Sequence, residues 1–106
     1  MIKIGNKKHG AEGEYVGRPT ALGNRFTHRA TGTIAEVVVG SRHEAVQRYR
    51  EEFVQLLTRS RAAKAQFDML LQRAEQGDIT LVCWCAPEEC HAEVIKHYLE
   101  LGLEGE

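Results

Sequence analysis

The stretch Asp78-Ile79-Thr80-Leu81-Val82-Cys83-Trp84, followed by Cys85-Ala86-Pro87-Glu88-Glu89-Cys90-His91, decides the fold class of this chain. Its first part is apolar almost throughout, which is how a strand covered on both faces reads. Its second part turns at Pro87 and runs into Ala92-Glu93-Val94-Ile95, where apolar residues recur at helical spacing. A buried strand feeding a helix is the repeating unit of α/β folds. At such a junction the carboxyl end of the strand is where ligands sit, and the first turn of the helix attracts anions.

Upstream, Ser41-Arg42-His43-Glu44 is a capping box, followed by Ala45, Val46, Tyr49, Phe53, Leu56 and Leu57 on one helical stripe. A second helix is predicted over residues 62–76, with Ala63, Phe67, Leu70, Leu71 and Ala74 inward and Gly77 as its cap. A third is predicted over 89–101, with Val94, Ile95, Tyr98 and Leu99 inward, Gly102 as its stop and a frayed tail beyond. The first 40 residues carry seven glycines and read as short strands and turns. Met1–Ile4 and Glu14–Val16 are strand candidates. Phe26–Arg29 and Thr33–Val39, around Ala30-Thr31-Gly32, suggest a hairpin. The expected architecture is one small layered α/β domain over residues 1–106. Residues 1–40 are its strand-rich part. Residues 41–101 form helix, helix, strand, helix and resemble half of a Rossmann unit. The sheet is expected to be mixed, with the last strand near its centre.

Composition sets the outer bounds. With 106 residues, 42% hydrophobic and 27% charged, the chain has the makeup of one folded domain. No stretch approaches the ~20 apolar residues of a membrane helix, nor does the N-terminus carry an apolar signal-length core, so a cytoplasmic location is expected. The formal net charge of −1 hides a split. Residues 1–50 hold nine Lys/Arg and four Glu, a balance of +5; the remainder holds five against eleven, a balance of −6.

Three cysteines between positions 83 and 90 are odd in number and clustered, unlike a disulfide framework. Three readings fit them. Cys90 and His91, at the helix start, form a ligand or catalytic site, with Cys90 as nucleophile and His91 as acid/base. Alternatively Cys83, Cys85, Cys90 and His91 bind zinc, although all four lie within nine residues and structural zinc sites normally join two distant pairs. Or Cys83 and Cys85 are small core hydrophobes. Trp84 reads as a buried core residue, with stacking on a base as the alternative. A second window, Tyr15-Val16-Gly17-Arg18-Pro19-Thr20-Ala21-Leu22-Gly23-Asn24-Arg25-Phe26, is a glycine-bracketed loop with arginines suited to phosphate or carboxylate. Lys7, Lys8 and Arg29 extend its basic character. His28 and His43 read as surface residues, with ligand neighbours as the alternative, and His9 reads as part of a mobile loop.

Taken together, Tyr-x-Gly-Arg (Tyr15, Gly17, Arg18), Leu-Gly-Asn-x-Phe (Leu22, Gly23, Asn24, Phe26) and Cys-Trp-Cys-x-Pro-x-x-Cys-His (Cys83, Trp84, Cys85, Pro87, Cys90, His91) resemble the domain-of-unknown-function 4326 family of bacterial and phage proteins. Glu44-Ala45-Val46 and Tyr49 resemble the family's first helix, so the likeness spans about residues 15–99. The family usually has proline where this chain has Arg25. A second uncharacterised family, number 488, shares a similar junction. The resemblance supplies motifs and no activity.

The expectation is therefore binding of a nucleotide or another phosphorylated small molecule at the 83–91 junction facing loop 17–26. Its contacts would come from Gly17, Arg18, Gly23, Asn24, Arg25, Cys85 and Pro87. Cys90 and His91 would carry any group transfer or hydrolysis, with no metal required. The alternatives are a phage-type protein that sequesters a nucleotide signal or binds a host protein, and a small zinc domain. No aromatic-rich stacking motif or DNA-reading fold stands out, so sequence-specific DNA is not an expected partner.

Overall fold

The computed structural model describes residues 1–27, 37–84 and 90–105. Five strands, β1 (Ile2–Asn6), β2 (Glu14–Tyr15), β3 (Phe26–Thr27), β4 (Val37–Val38) and β5 (Ile79–Cys83), accompany three helices, α1 (Arg42–Arg59), α2 (Arg61–Gln76) and α3 (Ala92–Glu104). A single 3-10 turn, Lys7–His9, follows β1. The main sheet runs β1-β5-β2, with the last strand at its centre as expected. Ile2 pairs with Ile79 and Asn6 with Cys83 on one side, and Tyr15 pairs with Val82 on the other. Every one of these pairings is parallel, so the described sheet is parallel and not mixed. The connection from β2 to β5 passes through α1 and α2, and a helical crossover returns the chain in the same direction.

The anticipated hairpin is also corrected. β3 and β4 pair in parallel, Phe26 with Val37 and Thr27 with Val38. A tight turn reverses the chain and cannot join parallel strands. The link itself, including His28 and Arg29, lies outside the described residues.

Helix boundaries follow local chemistry. Ser41 Oγ accepts the Glu44 N–H, and the Glu44 carboxylate accepts the Gly40 N–H. Ser60 closes α1 and opens α2: its N–H bonds to the Leu56 carbonyl, and its hydroxyl accepts the Ala63 N–H. Gly77 caps α2. Gly102 does not stop α3, which runs on to Glu104. A Cβ at Gly102 would stand 3.1 Å from Leu71 Cδ1, so this glycine lets α3 lie close against α2.

One apolar core joins the sheet and all three helices. Phe53 lies at its centre, edge-on to Tyr49 and Phe67 and stacked on Tyr98 at 4.8 Å. Val16 and Leu22, from the irregular segment after β2, are wholly buried in it. Each such burial stabilises by roughly 1.5–3 kcal/mol, so this segment is part of the core and not a surface loop. Among the described residues, no helix is long and apolar enough to cross a membrane.

Candidate functional site

Because the three strands of the main sheet are parallel, their carboxyl ends share one edge. Asn6 ends β1 there and Lys7 follows it, Val16 to Arg18 follow β2, and Trp84 follows β5. The segment from Val16 to Phe26 is tied down by side chains from every helix. Tyr49 on α1 donates its hydroxyl to the Leu22 carbonyl at 2.6 Å. Gln66 on α2 accepts the Leu22 N–H at 2.9 Å and donates to the Tyr15 carbonyl. His91, just before α3, places Nε2 2.7 Å from the Val16 carbonyl.

Asn24 is the hinge of the segment. Its Oδ1 accepts the Phe26 N–H at 2.9 Å and its Nδ2 donates to the Ala45 carbonyl at 3.1 Å. The side chain is buried with both ends occupied, so Asn24 shapes the turn and does not offer itself to a ligand. Gly23 is set by close approach: a Cβ there would lie 2.9 Å from the Arg18 backbone. At Gly17 a Cβ would fall 2.5 Å from the Tyr15 hydroxyl. Arg18 closes the turn from inside, donating from Nη1 to the Asn24 carbonyl at 2.7 Å. The Arg18–Pro19 peptide is cis.

Between this segment and α1 lies a pocket of about 310 Å³. Arg18, Arg25, Arg59 and Glu52 are its charged lining residues, and Phe26, Tyr49 and Leu56 supply apolar wall. Arg25 forks onto Glu52 through Nε and Nη2 at 2.8–3.1 Å. This hydrogen bonding, with the nearby Arg59 and Arg48 charges, holds the Glu52 carboxyl below its usual range. Arg25 and Arg48 also approach the Phe26 ring, at 4.5 and 5.2 Å from its centroid. Among the described residues, three guanidinium groups against one carboxylate make this lining electropositive.

Behind Tyr49 lies the pair expected to carry chemistry. The Tyr49 and His91 rings meet edge-on at 5.2 Å. A carbonyl can only accept, so His91 Nε2 carries the proton, and Nδ1, 3.4 Å from Cys90 Sγ, accepts from the thiol. Burial, aided by the Arg18 charge, pushes the His91 pKa down to about 4, so the ring is neutral. Burial likewise pushes the Tyr49 phenol up. Cys90 is 1% exposed and His91 7%. Proton transfer from thiol to imidazole would create two charges in a dry site, and no reagent reaches the sulfur in this conformation. The pair is packed, with its imidazole neutral.

One N–H ahead of the helix start is likewise taken. The Glu93 carboxylate accepts the Cys90 N–H at 3.0 Å, the place an incoming anion would take. Cys83 is a buried thiol on β5. Cys85 and Pro87 lie outside the described residues, and no group of three potential metal ligands occurs among those described. Trp84 is not in the core: it is 55% exposed.

The structure therefore brings Arg18, Gly23, Asn24 and Arg25 to one pocket and sets Cys90 and His91 behind its Tyr49 wall. Tyr49, Glu52, Leu56 and Arg59 were missed by the sequence reading. Their spacing of three, four and three residues places them on one stripe of α1; Tyr49 and Leu56 read as members of the apolar core stripe, which hid their alignment with Glu52 and Arg59.

A small α/β domain with an arginine-lined pocket beside a parallel sheet is the class of protein that the fold defines. The chain belongs to the domain of unknown function DUF4326, whose family model matches residues 3–101. No curated protein and no solved structure matches it.

Proposed function

We propose that the protein binds a phosphorylated small molecule, a nucleotide among them, in the pocket between residues 17–26 and α1. The observation that carries this reading is the convergence of Arg18, Arg25 and Arg59 on a cavity of about 310 Å³ in which Glu52 is the one carboxylate among the described lining residues. That volume is of small-ligand size, and arginine forks match phosphate oxygens in geometry and charge. The apolar wall of Phe26, Tyr49 and Leu56 suits the non-ionic part of such a molecule.

The reading is of a holder and not of a nucleophilic enzyme. Cys90, the candidate nucleophile, is buried against His91, and its N–H is taken by Glu93. A protein of this kind sequesters or presents its ligand.

Calorimetry with pyrophosphate, ribose 5-phosphate and nucleoside monophosphates tests the proposal. Binding is expected to weaken about tenfold or more in Arg59→Ala, since a charge-assisted hydrogen bond contributes ~1.5–3 kcal/mol. Arg59 is exposed, so the variant folds normally. Phosphate-bearing probes that bind the wild type and this variant equally would overturn the pocket assignment. Ligand recovered chemically unchanged after long incubation supports the holder role; turnover that survives in wild type but not in Cys90→Ser refutes it.

A further inference from the structure

Trp84 departs from expectation more than any other described residue. An indole that follows a buried strand belongs in the core, yet this one is 55% exposed at the carboxyl edge of the sheet. It is nevertheless held in place. Its Nε1–H donates to Tyr15 Oη at 3.0 Å, and its carbonyl accepts from Asn6 Nδ2 at 3.2 Å. Asn6 Oδ1 in turn accepts the Lys8 N–H at 2.8 Å, which starts the 3-10 turn carrying Lys7. That turn places the Lys7 ammonium 4.7 Å from the Tyr15 ring centroid and 5.9 Å from that of Trp84. Tyr15 Oη donates to the Arg18 carbonyl at 2.6 Å, so the indole and the pocket's arginine share one hydrogen-bonded chain.

We propose that the exposed face of Trp84, backed by Tyr15 and Lys7, is the stacking surface for the base of a free nucleotide. The inference rests on the arginine pocket's being a phosphate site for its choice of ligand class. An electron-rich indole fixed beside an ammonium takes a planar ring that carries a negative group, which describes a nucleotide and not a sugar phosphate. The position agrees, because ligands of open parallel sheets bind beyond the carboxyl ends of the strands. A free nucleotide is favoured over a nucleic-acid strand, because strand-binding surfaces line up successive aromatics along a groove, whereas here a single indole is exposed.

Trp84 is the sole tryptophan, so the native protein reports on its own stacking. Fluorescence excited at the red edge of the indole band is recorded while AMP, GMP, CMP, UMP, ribose 5-phosphate or a short single-stranded oligonucleotide is added, with calorimetry in parallel. At least one monophosphate is expected to quench the emission and to bind about tenfold tighter than ribose 5-phosphate, which leaves the emission unchanged. In Trp84→Ala that advantage disappears while ribose 5-phosphate binds as before; Trp84→Phe, which keeps a ring, retains most of it. Melting curves confirm that both variants are folded.

An unchanged ratio of monophosphate to ribose 5-phosphate binding in Trp84→Ala overturns the stacking proposal and leaves the pocket reading standing. A monophosphate that binds through Trp84 while pyrophosphate and ribose 5-phosphate fail to bind sinks the pocket and keeps the stack. Absence of binding by every probe overturns both. An oligonucleotide that binds tighter than all the monophosphates refutes the free nucleotide as the ligand.

Discussion

Tyr49 separates two polar regions of opposite design. On its inner side, His91, Cys90 and the Val16 carbonyl form a buried, hydrogen-bonded set around a neutral imidazole. On its outer side, Arg18, Arg25, Arg59 and Glu52 line an open pocket. The inner set fixes where the 16–26 segment sits; the outer set is what that segment presents. Burial makes the difference: an unmatched charge is costly in the dry region and cheap in the wet one. Mutations inside should therefore change stability, and mutations outside should change binding.

The largest expected effect is on the inner side and depends on pH. The folded His91 pKa of about 4 lies below the ordinary 6.5, so between these values the unfolded chain binds more protons than the folded one. Stability is thus complete above about pH 6.5 and falls as pH drops toward 4, by up to about 3 kcal/mol. Urea unfolding at pH 7 and pH 5 measures this. His91→Gln should flatten the slope over that window; an unaltered slope would show that the inner region is not the titrating one.

Next in size is Asn24→Ala, which strips partners from the buried Ala45 carbonyl and the Phe26 N–H. A loss of about 2–3 kcal/mol is expected in denaturant unfolding. Tyr49→Phe removes only the bond to Leu22 and keeps the ring, for a loss of about 1 kcal/mol by the same measurement. If Tyr49→Phe cost as much as Asn24→Ala, the wall would be more than a partition. The smallest stability change belongs to the outer side. Glu52→Gln breaks a partly exposed ion pair and should shift stability by less than about 0.5 kcal/mol. It should nevertheless tighten pyrophosphate binding in calorimetry, because it deletes the one carboxylate among the described lining residues. A large destabilisation with no gain in affinity would erase the contrast between the two sides.

Much of this organisation is legible in the residues. The apolar run 79–83 is the central strand, and the Ser41/Glu44 box opens α1 where its spacing says it should. Local chemistry dictates both: capping oxygens satisfy nearby N–H groups, and a two-sided apolar run has few places to go. The short strands near Phe26 and Val37 were legible as strands, but their direction was not, since a two-residue strand has the same pattern either way round. The Gly102 stop failed because Leu71, distant in sequence, makes the glycine useful inside the helix.

By itself, then, the sequence determined the main elements, their order, the family and one wall of the candidate pocket, residues 17–26. Local hydrogen-bonding and periodicity are written in adjacent residues. Tertiary structure alone decided which polar groups are spent and which are offered. It turned Cys90 and His91 inward and closed Asn24 on the backbone. It also drew Arg59 from α1 into the pocket and left Trp84 at the surface. Those outcomes depend on burial and on partners far apart along the chain, and neither is encoded in any single stretch.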